Sequence, residues 1–292
     1  MTPTKPLVRI ALDPTMLNGR PPVEALRAAV DAGYERIELG NRTDVIAAFG
    51  PQTTSREALL GYAARARDLG VEIASVAVIQ NISSPDEDVR HQAVEWWRDG
   101  IEAAATLGAK RIDSEFSGDL ERFDASRDAF LHSFSELVPD LVEADITVAI
   151  EPHPNDFVET TTGALEVIEA TDSDRLAYLH CIPHAWHLGG TAVEQVESAA
   201  GRTDHLHLAD AFKPSRTILN PSTPRVRIHQ HLDPGQGEID FDAVAAALGR
   251  ADFRGLLTVQ VFAWSDRAEE SFRVTRSSAA HFVEVLESAR GR

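Results

Sequence analysis

ITVAIEPHPND, residues 146–156, is an apolar β-type run that ends in a carboxylate and an imidazole two residues apart. Thr147, Val148, Ala149 and Ile150 have the β-branched and apolar character of a buried strand. Side chains alternate faces along a strand, so Glu151 and His153 are expected to point the same way. Pro152 and Pro154 cannot donate to a ladder and should end the pairing there. A strand that stops on an acid and a base is a candidate floor for an active site.

Outward from this stretch the same pattern repeats in both directions. Strands are predicted at residues 8–13, 36–39, 72–79, 111–116, 147–153, 176–184, 205–210 and 256–262. Amphipathic helical patterns separate them at 22–31, 55–69, 86–107, 126–144, 162–170, 191–200, 241–249 and 267–290. Strict β-then-α alternation calls for a parallel sheet, and eight such units close into a single (β/α)8 TIM barrel. An open doubly wound sheet would carry a Gly-rich phosphate turn after its first strand, and DPTMLNGRPP, residues 13–22, has none. Helix entries have local support. Ser55 is placed to cap the second helix, and SSPDEDVRHQAVEWW, residues 83–97, puts Ser84, Pro85 and acids in the first turn of the third. With 292 residues and no visible internal boundary, residues 1–292 read as one domain.

Composition excludes several classes. The 46 acidic and 28 basic residues give a formal charge of −18, which repels nucleic-acid phosphate, so no nucleic-acid partner is expected. No apolar run reaches the ~20 residues of a membrane helix, and the first residues, MTPTKPLVRIALD, lack the apolar centre of a secretory signal, so a cytoplasmic location is expected. Cys181 is the only cysteine. That rules out an intrachain disulfide and a cysteine knuckle, and any metal is expected on histidine and carboxylate.

The final residues of the strands give Asp13, Glu38, Gln80, Glu115, Glu151 with His153, His184, His207 with Asp210, and Gln260. In a barrel these converge at one end, the end that carries chemistry. Parity on the sixth strand groups His180, Ile182 and His184 against Cys181 and makes His184 the inward candidate. On the seventh, His207 lies nearer the rim, and His205 reads as a hydrogen-bonded interior histidine. Trp96 and Trp97, in the third helix, read as packing residues. The longest patternless connection, residues 211–237, returns RIHQH at 227–231, with His229 and His231 on one side of an extended segment. Glu and two or more His with an open position suit Mn²⁺, Zn²⁺ or Fe²⁺.

Six segments in a fixed order carry a resemblance: ALDPTML at 11–17, AGYERIELGNR at 32–42, IEPHP at 150–154, PHAWHLGG at 183–190, HLHLADAF at 205–212 and HQHLDPGQGEIDFDAV at 229–244. Nearly along its whole length the chain resembles the xylose isomerase-like barrels, a superfamily of sugar isomerases, epimerases, inosose dehydratases and endonuclease IV-type repair enzymes. The resemblance implies a divalent metal, Mn²⁺ by expectation, held by Glu, Asp, His and Glu from strand ends. Glu151 and His207 match that pattern, whereas Cys181 falls on the family's Asp and Gln260 on its last Glu. The ligand set expected here is therefore Glu151, His184, His207 and His229.

The resemblance further implies action on a sugar or keto-sugar through proton abstraction alpha to a carbonyl. It extends to a branch similar to the catalytic subunits of bacterial C-glycoside deglycosidases, lyases that act on 3-keto-glycosides. A carbohydrate or glycoside substrate is expected, with self-association or a small second subunit as a partner. His153 is expected as the base, with Glu115 as the next candidate, and His187, Asp210, His231 and Gln260 as substrate contacts. An endonuclease IV-like phosphodiesterase conflicts with the charge of −18. A barrel that has lost its metal and serves as a partner subunit is the remaining reading.

Overall fold

Eight parallel strands pair in chain order and close on themselves, because β8 returns to pair with β1. They are β1 Arg9–Leu12, β2 Arg36–Leu39, β3 Glu72–Ala77, β4 Arg111–Glu115, β5 Thr147–Glu151, β6 Leu176–Cys181, β7 Thr203–Leu208 and β8 Leu256–Val259. Around them run α1 Pro22–Asp31, α2 Arg56–Asp68, α3 Glu87–Leu107, α4 Phe123–Ala144, α5 Thr161–Ala170, α6 Ile182–His187, α7 Ala192–Ser198, α8 Phe241–Arg250 and α9 Ala268–Ala289. The computed structural model describes residues 8–189, 192–199, 201–212 and 230–291. The expected (β/α)8 barrel is the fold observed. Among the described residues no helix is long and apolar enough to cross a membrane.

Local chemistry sets the helix entries. Ser55 accepts from the Ala58 amide, Thr160 from Gly163 and Asp240 from Ala243, each satisfying a donor that the first helical turn leaves open. The cap of α3 is Asp86, not Ser84. Its carboxylate takes the Asp88 and Val89 amides, while Ser84 accepts from Asp86 itself one turn earlier.

Strand parity divides the barrel into two chemistries. Ile112, Val148, Ile150, Tyr178, Leu206, Leu208, Leu257 and Val259 point outward into one apolar core shared with the helices. The inward set is mixed: Ala149, Leu179 and Cys181 pack together, while the polar Glu38, Asp113, His205, His207 and Thr258 are buried in the interior. TIM-barrel interiors are usually filled by bulky branched side chains. Buried acids and imidazoles persist here only because they pair with one another.

The sixth unit departs from expectation. β6 stops at Cys181 and the chain turns directly into α6, so His184 is a helical residue and strand parity does not place it. The inward face belongs to Leu179 and Cys181, whereas His180 points out to the Tyr178 hydroxyl at 3.2 Å. The pairing of β6 with β7 also shifts register between Tyr178 and Leu179. Pro183 explains the turn, because it suits the first positions of a helix and removes a ladder donor.

The connection after β7 is described at both ends, and residues 213–229 lie outside the described residues. Its returning end is tied down by Asp210. The Asp210 carboxylate accepts from the amides of Ala211 at 2.8 Å, Ile239 at 3.2 Å, Gly235 at 2.8 Å and Gly237 at 2.8 Å. Backbone bonds between Asp210 and Leu232, and from Phe262 to the His231 carbonyl, complete the tie. Gly237 must be glycine, since a Cβ there would collide with the Asp210 carboxylate. Asp210→Ala leaves four amides without this acceptor, those of Ala211 and Ile239 buried, and should destabilise the fold by about 3 kcal/mol, given roughly 1.5–3 kcal/mol per hydrogen bond to a charged group and partial replacement by water at the more exposed Gly235 and Gly237. Urea unfolding at neutral pH measures this. A midpoint equal to wild type would show that the tie contributes nothing.

Candidate active site

The carboxyl ends of the strands surround a cavity of 310 Å³, lined among others by Asp13, Asn41, Ile79, Asp113, Glu115, Glu151, His153, His184, Gln260 and Phe262. This volume lies at the small end of ligand pockets, about 300–1,000 Å³. Glu151 and His184 form part of its floor and also reach the residues beneath.

Glu151 is the junction. Its Oε2 lies 3.2 Å from His184 Nδ1 and 3.7 Å from His207 Nδ1. On the far side, His207 Nε2 is 3.2 Å from Glu38, which also meets His205 at 3.0 Å and Thr258 at 3.0 Å. His205 is completely buried, as its reading as a hydrogen-bonded interior histidine requires. His231 lies at the centre, and the expected ligand His229 lies outside the described residues. The tie at Asp210 brings His231 in fully buried. There its ring stacks on Phe262 with centroids 4.5 Å apart, and its Nε2 sits 3.2 Å from His184 Nε2.

The electrostatics follow from burial. Desolvation alone would raise Glu151, but His184 and then His207 outweigh it and hold the carboxyl well below its ordinary range. Glu38 is held down in the same way by His205 and His207. Burial would lower His207, yet Glu38, with Cys181 and Glu151, raises it well above the usual imidazole value. His207 thus sits between two carboxylates, Glu38 and Glu151, which its own proton or a bound cation would neutralise. Burial and the Glu38 charge raise Asp13 to about 7, and they push Asp113 well above its ordinary value. Asp113 could have been found in the sequence, because it shares parity with Glu115 on β4.

Donor atoms lie within 4.8 Å of one another in several triads: Glu38, His205 and His207; Glu151, Cys181 and His207; Cys181, His184 and His231; and Glu115, His153 and Asp156. Two of the four include Cys181. The other two are made of histidine and carboxylate alone, the donor types expected from the sequence, while a single cysteine excludes a knuckle but not a mixed centre. His153 lies on the cavity wall, with its Nε2 3.7 Å from Glu115 and its ring edge-on to His184 at 4.6 Å. Glu115 is raised to about 8 by burial and by the Glu151 charge, so it is largely neutral near pH 7.

Of the expected substrate contacts, Gln260 lines the cavity, and its carbonyl lies 2.7 Å from His231 Nδ1. His231 lies beneath the cavity among prospective ligands. Asp210 does not face a ligand, because its carboxylate is saturated by backbone amides. His187 ends α6, away from the cavity wall.

The family model described as Xylose isomerase-like TIM barrel matches residues 26–278. Solved structures similar to the chain include an L-ribulose 3-epimerase at 18% identity and TM-score 0.77, over 97% of this chain and 96% of that one. A 3-keto-D-glucoside 4-epimerase from E. coli is 16% identical at TM-score 0.72, covering 94% and 98%. An IOLI protein with a binding zinc atom is 18% identical at TM-score 0.74, covering 98% and 100%. No curated protein sequence matches the chain.

Proposed function

Because the chain belongs to the xylose isomerase-like TIM barrel family, we propose that it is a divalent-metal-dependent enzyme acting on a sugar or keto-sugar by proton abstraction alpha to a carbonyl, as an isomerase or epimerase. The observation that carries this reading is the convergence of Glu151, His184, His207 and His231 at the floor of a cavity that His153 and Glu115 wall. These residues fit a divalent ion. His207 is buried, and neither of its nitrogens makes a hydrogen bond of good geometry. The Nε2 atoms of His184 and His231 also face one another at 3.2 Å, an approach that needs a proton or a cation between them. Similarity to sugar epimerases supports the substrate class.

An ion bound there supplies Lewis acidity that polarises a substrate carbonyl or hydroxyl. His153 takes the proton from the adjacent carbon, since it lies on the cavity wall next to the prospective ligands. Glu115, neutral near pH 7, donates to the substrate oxygen that gains charge. Asp13, Asn41, Asp113 and Ser114 offer acceptors and donors to sugar hydroxyls, while Ile79 and Phe262 limit water. In deuterated solvent, the metal-loaded protein should exchange the alpha hydrogen of a ketose or 3-keto-glucoside, and prior chelation should stop the exchange. No exchange with any member of a ketose and keto-glucoside panel by the fully metallated protein would overturn the proposal.

A second reading, a lyase on a 3-keto-glycoside of the C-glycoside deglycosidase type, is favoured by a groove of 540 Å³ that adjoins the cavity. The two share Phe49, Ile79 and Glu115, and the groove adds Val89 and Trp96. Trp96, expected only to pack, thus lines a surface suited to an aromatic substituent on a sugar. Trp96→Ala should raise KM roughly 10-fold for an aryl 3-keto-glycoside, the equivalent of about 1.4 kcal/mol of apolar contact, and leave KM for a free ketose unchanged. Equal effects on both would remove the support for this reading.

A further inference from the structure

At the ends of β5, β6 and β7 the two triads with converging donor atoms are Glu151, Cys181 and His207, and Cys181, His184 and His231. Cys181 is the member they share, so an ion seated in either triad lies against its sulfur. The neighbouring rings are turned for this. His231 Nδ1 lies 2.7 Å from the Gln260 carbonyl, which can only accept, so that nitrogen donates and Nε2 presents its lone pair 3.9 Å from Cys181 Sγ. His184 directs Nδ1 to the Glu151 carboxylate at 3.2 Å, which leaves its Nε2 facing the same space. A ligating histidine usually donates its second nitrogen to a carboxylate or carbonyl in this way. His207, the third imidazole, is 1% exposed and has no well-formed hydrogen bond. A buried cysteine ordinarily behaves as a small apolar side chain, and Cys181 does pack on Ala149 and Leu179. Its other side is ringed by nitrogen and oxygen donors, which an apolar role does not explain.

We propose that Cys181 ligates the divalent ion as a thiolate, making a mixed cysteine, histidine and carboxylate centre that selects zinc or cobalt over manganese. The proposal rests on the reading of this site as metal-binding and changes the class of metal expected there. As the sulfur–ion bond forms, the S–H proton leaves to solvent, and no electron is transferred. Soft thiolate favours zinc, whereas manganese prefers oxygen donors.

The test is Co²⁺ titration of the full-length, metal-stripped protein under anaerobic conditions, followed by calorimetry and absorption. Because Cys181 is the only cysteine, a near-ultraviolet thiolate-to-cobalt charge-transfer band can come from no other residue. The band should grow to one equivalent in the wild type and vanish in Cys181→Ser. Zn²⁺ affinity of that variant should fall by ~100-fold or more, beyond the ~10–100-fold typical of losing an outer partner of a ligand. Cys181→Asp should regain binding with its preference moved toward Mn²⁺. Circular dichroism confirms that each variant is folded, and the wild-type band alone decides the matter if neither is. Stoichiometric Co²⁺ binding without the band would overturn the thiolate and leave the metal-dependent reading intact. No Co²⁺, Zn²⁺ or Mn²⁺ binding at all would overturn both.

Discussion

Glu151→Ala should abolish divalent-metal binding and turnover together while the barrel remains folded. Glu151 holds His184 by Nδ1 at 3.2 Å and approaches His207 at 3.7 Å. Its removal therefore takes away a candidate oxygen ligand and also frees one imidazole to turn. Both losses act on the same ion, so the fall in affinity should exceed the ~10–100-fold expected from losing an outer partner alone. The fold should survive because the outward neighbours Val148 and Ile150 keep the apolar contacts that anchor β5. In the absence of an ion the deletion also takes from His184 and His207 the carboxylate that pairs with them, so some loss of stability accompanies it. Calorimetric titration with Zn²⁺ and Mn²⁺, elemental analysis and circular dichroism together separate these effects. Full metal occupancy in a folded Glu151→Ala protein would remove Glu151 from the ligand set. His207→Ala should act in the same direction with a smaller loss, because Glu151, His184 and His231 stay in place.

The barrel was legible in the sequence because its signal is periodic and repeated. Each strand and helix is short, but eight alternations leave little freedom of topology. Glu151 and His207 were legible too, since both sit on regular strand ends where parity holds. Parity failed one unit on, at His184. There β6 gives way to α6 at Pro183, and a rule of period two cannot follow a chain that changes to a period of 3.6. The same change of period turned Cys181 outward on paper, whereas it packs inward with Ala149 and Leu179. His231 was legible only as one of two alternate residues in a long connection. What brings it inward is the carboxylate of Asp210 gathering four amides, three of them from residues 235–239, and a contact so distant in sequence leaves no local pattern. Asp210 itself was misjudged for the same reason, because a strand-end acid reads alike whether it binds a ligand or a loop.

His153→Ala should leave metal affinity near wild type and lower turnover by roughly 10²-fold or more, the usual contribution of a positioned acid or base. The separation is expected from geometry. His153 lines the cavity and meets Glu115 at 3.7 Å, yet it belongs to neither triad that includes Cys181. Its ring stands edge-on to His184 at 4.6 Å, so some loosening of His184 accompanies its removal. Metal titration of the variant must therefore be run beside the kinetics. The discriminating measurement is solvent deuterium entering the carbon alpha to the substrate carbonyl, followed with metal-loaded protein at matched occupancy. Wash-in should be readily seen with the wild type and reduced in step with turnover in the variant. Undiminished wash-in by a folded, metallated His153→Ala protein would make His153 a binding residue. The base would then be sought at Glu115, whose carboxyl, raised to about 8, takes a proton only once ionised, so wash-in should rise with pH toward that value and be lost in Glu115→Gln.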